Sequence, residues 1–165
     1  MRSQGNFCDE QRTVLNKIPE AEARAILATP RTCEDCRPWT PQKQLIGAYK
    51  TDTGLLDPAG VRSGLFVDLY FYRSPKTNIC VYKFSVFKMT PSGSARVYQL
   101  DVRRSPKPIK DAHGMAHEHF GNGRTDGDAS WNSWSYNEVM HYFCRQANIT
   151  FDPALSHPEH FELTS

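Results

Sequence analysis

The hydrophobic pattern changes period along the chain. Over residues 9–28 the signal is helical: Ala21, Ala25 and Ile26, with Ile18 before them, make an apolar stripe, Pro19 suits a first turn, and Glu20 and Glu22 lie near the positive end of the helix dipole. Thr29-Pro30 stops it. The segment Arg31 to Pro41, with Pro38, Pro41 and Cys33-Glu-Asp-Cys36, reads as a loop or knuckle. From there the period becomes two. Leu45 to Lys50 is a short strand, and Thr51-Asp-Thr-Gly54 and Asp57-Pro58-Ala-Gly60 carry turn chemistry. Gly64 to Tyr72 alternates Leu65, Val67, Leu69 and Phe71 on one face with Phe66, Asp68, Tyr70 and Tyr72 on the other. Ser74 to Asn78 is a hairpin loop, Ile79 to Met89 the return strand, Pro91-Ser-Gly93-Ser a second turn and Ala95 to Val102 a third strand. Connections this short require antiparallel pairing.

Beyond Val102 the pattern breaks at Ser105-Pro106-Lys-Pro108 and resumes as a short strand over Ala116 to Phe120, followed by a polar turn from Gly121 to Asp128. Ser135-Tyr-Asn-Glu138 is a capping box opening a helix whose stripe is Val139, Met140, Tyr142, Phe143 and Ala147, with Asn148 as its C-terminal cap. The tail from Asp152 is expected to fold back over the domain. These elements predict one α+β domain over residues 1–165: a helical Cys-x-x-Cys segment at 1–41, a sheet and helix core at 42–150, and a tail at 151–165. Its centre is an antiparallel sheet of four to five strands with the C-terminal helix on one face.

Composition adds limits. In 165 residues, 39% hydrophobic and 23% charged content is that of a globular chain able to bury a core without staples. No run approaches the roughly 20 apolar residues of a membrane helix, and Met1 to Cys8 contains no apolar leader core, so the expected address is cytoplasmic. A net charge of +2 excludes a globally basic protein, although Arg103, Arg104, Lys107 and Lys110 form a local cluster suited to phosphate contacts or to an ordinary exposed loop. Five cysteines without an export signal read as reduced thiols, with Cys80 and Cys144 as core fillers. Cys33-x-x-Cys36 has the spacing of half a zinc site, which only Cys8 or distant histidines could complete, and also that of a redox pair.

The densest candidate chemistry lies between Asp111 and His119, which holds His113, His117 and His119, three of the six histidines. In His117-Glu-His119 the imidazoles share one face of a strand and Glu118 the other. The same spacing suits an acid/base pair, part of a metal site with His113, or a solvated face. Asp101 lies opposite the apolar Tyr98, Leu100 and Val102 face and could orient an imidazole if the two strands pair. Trp131 and Trp134, beside a helix cap, either close the core or stack bases.

Tyr98-Gln-Leu-Asp101, His113, His117-Glu-His119 with its following glycine, a Trp, and the helix ending Phe143 to Ile149 together resemble a group of small bacterial and phage proteins, over residues 62 to 150. Some of that group look like toxins of two-gene toxin-antitoxin loci. The resemblance matches Asp101 to a Leu-Asp-hydrophobic strand, His113 to a loop histidine, and His117 and His119 to a His-x-His strand. The Asn-Pro that follows the loop histidine there is absent here, and Cys33-x-x-Cys36 has no counterpart. The expected function is a nuclease-like protein acting on RNA without a metal or other cofactor, through His113, His117, His119 and Asp101, with Arg103, Arg104, Lys107 and Lys110 on the phosphates. A non-enzymatic partner-binding module using Phe66, Tyr70 and Tyr72, such as a phage inhibitor or antitoxin-like protein, and a metal-binding protein are the alternatives. No membrane partner is expected.

Overall fold

The computed structural model describes residues 17–107 and 116–159. Helix α1 (Glu20–Leu27) leads into strands β1 (Arg31–Glu34), β2 (Thr40–Pro41), β3 (Ala48–Leu56), β4 (Arg62–Arg73), β5 (Cys80–Thr90) and β6 (Gly93–Arg104). Strands β7 (His117–Phe120) and β8 (Gly123–Asp126) make a short hairpin, and helix α2 (Tyr136–Ala147) and strand β9 (Ile149–Asp152) end the described fold. Among the described residues the sheet has nine strands in the order β8-β7-β6-β5-β4-β3-β1-β9, with β2 also paired to β3. The α+β class holds, but the sheet exceeds the four to five strands expected.

The extra strands come from segments that local chemistry marks as turns. Thr51 to Gly54 runs through the interior of β3, where Thr51 faces Leu69 and Thr53 faces Val67 of β4. Threonine suits a pleated surface when a partner strand is present, and a register shift between Gly54 and Leu56 absorbs the glycine as a bulge. The strand therefore starts at Ala48, after a turn at Leu45, and not at Leu45 itself. Residues 31–41, expected as a loop, supply β1 and β2, and the expected polar turn after Phe120 supplies β8. One pairing is parallel: β1 runs alongside β9 with Cys33 opposite Phe151. This pair can run parallel because nearly the whole domain, and not a short connection, lies between its strands.

The alternation of β4 decides which face is buried. Leu65, Val67, Leu69 and Phe71 join Tyr82, Phe84 and Val86 of β5 and Tyr98, Leu100 and Val102 of β6 in the core. Helix α2 covers them with Val139, Phe143 and Ala147, and α1 adds Ala23 and Leu27. The capping box is formed: Ser135 accepts from the Glu138 amide while the Glu138 side chain accepts from the Ser135 amide. Asn148 takes the left-handed cap at φ 57°. Helix α1 begins after Pro19, and the earlier part of its expected span lies outside the described residues. Beyond β9 the tail does fold back, since Trp39 Nε1 donates to the Ser156 carbonyl (2.9 Å) and the Tyr136 hydroxyl to that of Leu155 (2.8 Å).

The β7–β8 hairpin is held to the domain at its turn. Gly121 has φ 55°, the value a two-residue turn demands at its first position, and a Cβ there would overlap the Ile18 carbonyl. Asn122 then accepts from the Glu20 amide at the start of α1 (3.2 Å). Phe120 anchors the hairpin from within, against Tyr98 (centroids 4.9 Å apart) and under the Arg24 guanidinium (3.9 Å). Phe120→Ala is expected to cost about 3–5 kcal/mol of unfolding free energy. Met89→Ala, at a side chain left in solvent, should stay within about 0.5 kcal/mol; urea unfolding of both variants checks the contrast.

Candidate functional site

With both helices on one face, the other face of the long strands is left to polar and aromatic side chains. Register aligns them in rows across the sheet. One row runs Asp52, Asp68, Ser85, Gln99, His119 and Arg124; the next runs Lys50, Tyr70, Lys83, Asp101, His117 and Asp126. The strands carrying Asp101 and the histidines do pair, and Asp101 lies directly opposite His117.

The imidazoles stand side by side, ring centroids 5.0 Å apart and edge to face. His117 Nε2 lies 3.9 Å from Asp101 Oδ2, an ion pair when the ring is protonated. Burial, reinforced by the positive charge of Arg96 and by His117 and Arg124, pulls His119 down to about 4, so it stays neutral near pH 7. Its Nδ1 is buried with no hydrogen-bond partner among the described residues. The strand is fixed from behind. Glu118 turns into the core and accepts from the hydroxyls of Tyr98 (2.8 Å) and Tyr142 (3.0 Å), which burial keeps protonated: Tyr98 is pushed well above its ordinary value and Tyr142 up to about 12. Gln146 Nε2 reaches the same carboxylate at 3.4 Å. Glu118 thus clamps β7 to α2 and sets the height of both histidines on the open face.

Beside the histidines the rows sink into a trough of about 440 Å³. Its floor is a hydrogen-bonded chain in which Arg96 Nη1 donates to Gln99 Oε1 (3.2 Å) and Gln99 Nε2 to Ser85 Oγ (2.8 Å). Arg96 Nε also donates to the Gly121 carbonyl (3.3 Å), which ties the trough to the histidine hairpin. Asp68, Lys50, Lys83, Tyr70 and Phe87 line its sides. Burial raises the Asp68 carboxyl, with Asp52 adding to the rise and Lys50 and Lys83 opposing it, while burial lowers Arg96. Buried polar groups in a concavity, joined to two imidazoles, make this the best-formed constellation for chemistry in the described structure.

The residues expected from sequence divide sharply. Asp101, His117 and His119 come together. Arg103 follows Asp101 on the open face and Arg104 lies on the opposite side of β6, both of them exposed. Lys107 is exposed in the loop after β6. His113, Lys110 and Cys8 lie outside the described residues. Trp131 and Trp134 stack on each other (4.7 Å) and on Tyr142 (5.0 and 5.1 Å), on the helix side, where they close the core. Among the described residues no three His, Cys, Asp or Glu side chains are placed to hold a metal ion. Asp68, Lys83, Ser85, Arg96 and Gln99 were not singled out from sequence. Alternation alone marks Asp68 as facing away from the core; the others needed the strand register.

Compared with known protein families, curated proteins and solved structures, the chain matches none. No described helix is long and apolar enough to cross a membrane.

The depressed His119 makes stability depend on pH in one direction. Above the ordinary imidazole value of about 6.5 the ring is neutral folded and unfolded and contributes no slope. As pH falls from about 6.5 towards about 4, the unfolded chain takes up the proton first and the fold loses stability. His119→Gln is expected to flatten that part of the profile, read from urea midpoints across the interval; an unchanged slope would place the ring in water.

Proposed function

We propose that the open sheet face binds a single RNA strand and cleaves it by imidazole acid/base chemistry, in a toxin-antitoxin or phage-defence setting. The observation carrying this reading is the contact of His117 and His119 on the open face, continuous with a trough that offers Arg96, Lys50 and Lys83 to a phosphodiester. Neutral His119 takes the 2'-hydroxyl proton, and His117, with Asp101 as counter-charge, protonates the leaving 5'-oxygen. Lys83 and the buried Arg96 stabilise the charge that builds on phosphorus. Since the rings touch, the phosphate lies across them and not between them. Phe66 and Phe87, stacked at 5.6 Å on the same face, give a flanking base an aromatic surface.

The same aromatic pair favours a second reading, a protein-binding face without catalysis. The two separate on activity. Purified protein should cleave single-stranded RNA in excess chelator, and His117→Ala and His119→Ala should each lower the rate by about 10²–10⁴-fold while melting temperatures stay near wild type. Cleavage abolished by chelator moves the assignment to a metal site; no cleavage by wild type, or full cleavage by the double variant, ends the nuclease reading.

The pH profile is a further check. A base held at about 4 puts the acid limb of kcat/KM near that pH, well below the roughly 6.5 of a free imidazole. An acid limb at the ordinary imidazole value would remove His119 from the role of base.

A further inference from the structure

Across the sheet from the histidines lies a second reactive cluster that the phosphodiester reading leaves unused. Strand β1 ends at Glu34, Asp35 turns the chain at φ 50°, and its amide donates to the Asp152 carbonyl at the end of β9 (3.1 Å). That turn brings Cys36 back beside Cys33, near enough for the Cys33 thiol to favour the Cys36 thiolate by hydrogen bonding, and both cysteines are free. Their surroundings differ. Cys33 is 0% exposed, within the core, whereas Cys36 is partly buried and lines a groove of about 260 Å³ with Pro38, Trp39, Pro153 and Leu155. The Thr53 hydroxyl lies 3.4 Å from Cys36 Sγ. The bond from Cys33, aided by Thr53 and Thr51 and opposed by burial and Asp52, brings Cys36 down to about 6. The same bond and burial push the Cys33 thiol up. One sulfur thus borders a groove and is biased towards its thiolate, while its neighbour is a buried thiol held in the protonated state.

We propose that Cys33 and Cys36 form a dithiol centre that exchanges with peptide disulfides, with Cys36 attacking and Cys33 resolving. The Cys36 thiolate attacks one sulfur of a disulfide seated in the groove; a Cys36–substrate S–S bond forms, the substrate S–S bond breaks, and the first substrate thiolate leaves. The buried Cys33 sulfur then attacks Cys36 Sγ as its proton passes to the departing second substrate sulfur. The Cys33–Cys36 bond forms, the mixed disulfide breaks, and the second substrate sulfur leaves as a thiol. Two electrons pass from the dithiol to the substrate, which is reduced to two thiols while the protein is oxidised.

The test uses the full reduced chain with oxidised glutathione at neutral pH, without oxygen, read by intact mass and peptide mapping. Wild type should release about two glutathione thiols per chain and end two hydrogens lighter, with the new bond between Cys33 and Cys36. Cys33→Ser should stop at a single glutathione on Cys36. Cys36→Ser should react at least ~10-fold more slowly and leave Cys33 unmodified. Circular dichroism confirms that each variant is folded, and the groove-lining Cys36 site keeps the test decisive if Cys33→Ser unfolds. Glutathione appearing on Cys80 or Cys144 while Cys33 and Cys36 still alkylate as free thiols would overturn the proposal. So would stoichiometric zinc on wild type that Cys36→Ser loses, since the pair would then be a metal knuckle.

Discussion

The structure turns on the aromatic packing around Phe84. Its ring meets Phe143 of α2 at 5.6 Å, Tyr82 at 6.1 Å, Trp39 at 6.3 Å and Tyr136 at 6.4 Å. Those partners come from the central strand, the segment after β1, and both ends of α2. A side chain at the middle of the sheet thereby joins the meander to helix α2 and to the segment after β1. Tyr98, packed on Phe143 at 5.8 Å and on Phe120 at 4.9 Å, extends the same cluster to the histidine hairpin. Aromatic rings supply most of this contact because each buries a large area and holds a defined tilt against its neighbours.

Covering one face so completely leaves the other to solve its own solvation. Aromatic side chains such as Phe66, Phe87 and Tyr70 share that face with polar ones, and its buried polar atoms meet each other: Arg96, Gln99 and Ser85 form a continuous chain of donors and acceptors. Such a chain costs little when every member is satisfied and holds its members rigidly. It is also the floor on which a ligand would rest. The histidines inherit this rigidity twice, through Arg96 at Gly121 and through Glu118 beneath α2. Their position is a consequence of core packing more than of local strand geometry.

The two reactive clusters sit on opposite sides of the meander and use different means of tuning. His119 is shifted by burial and by neighbouring positive charge, Cys36 by a hydrogen bond from its partner thiol. Asp52 of β3 lies between them, acting on Cys36 and on Asp68 of the trough, while the shifts of His119 and Cys36 themselves arise from separate neighbours.

Several features were legible from neighbouring residues alone. The faces of Gly64 to Tyr72, the capping box of Ser135 and Glu138, the left-handed Asn148 and the shared face of His117 and His119 all depend on interactions within a few positions, where spacing and side-chain chemistry decide the outcome. The strand character of Thr51 to Gly54 and of residues 31–34 was not, because a partner strand overrides weak local preference. Nor was the trough. Asp68, Lys83, Gln99 and His119 each satisfy a local alternation that would be equally valid in another register, and only the register between consecutive strands β4 to β7, set by which faces the helices could bury, brought them into one row and its neighbour.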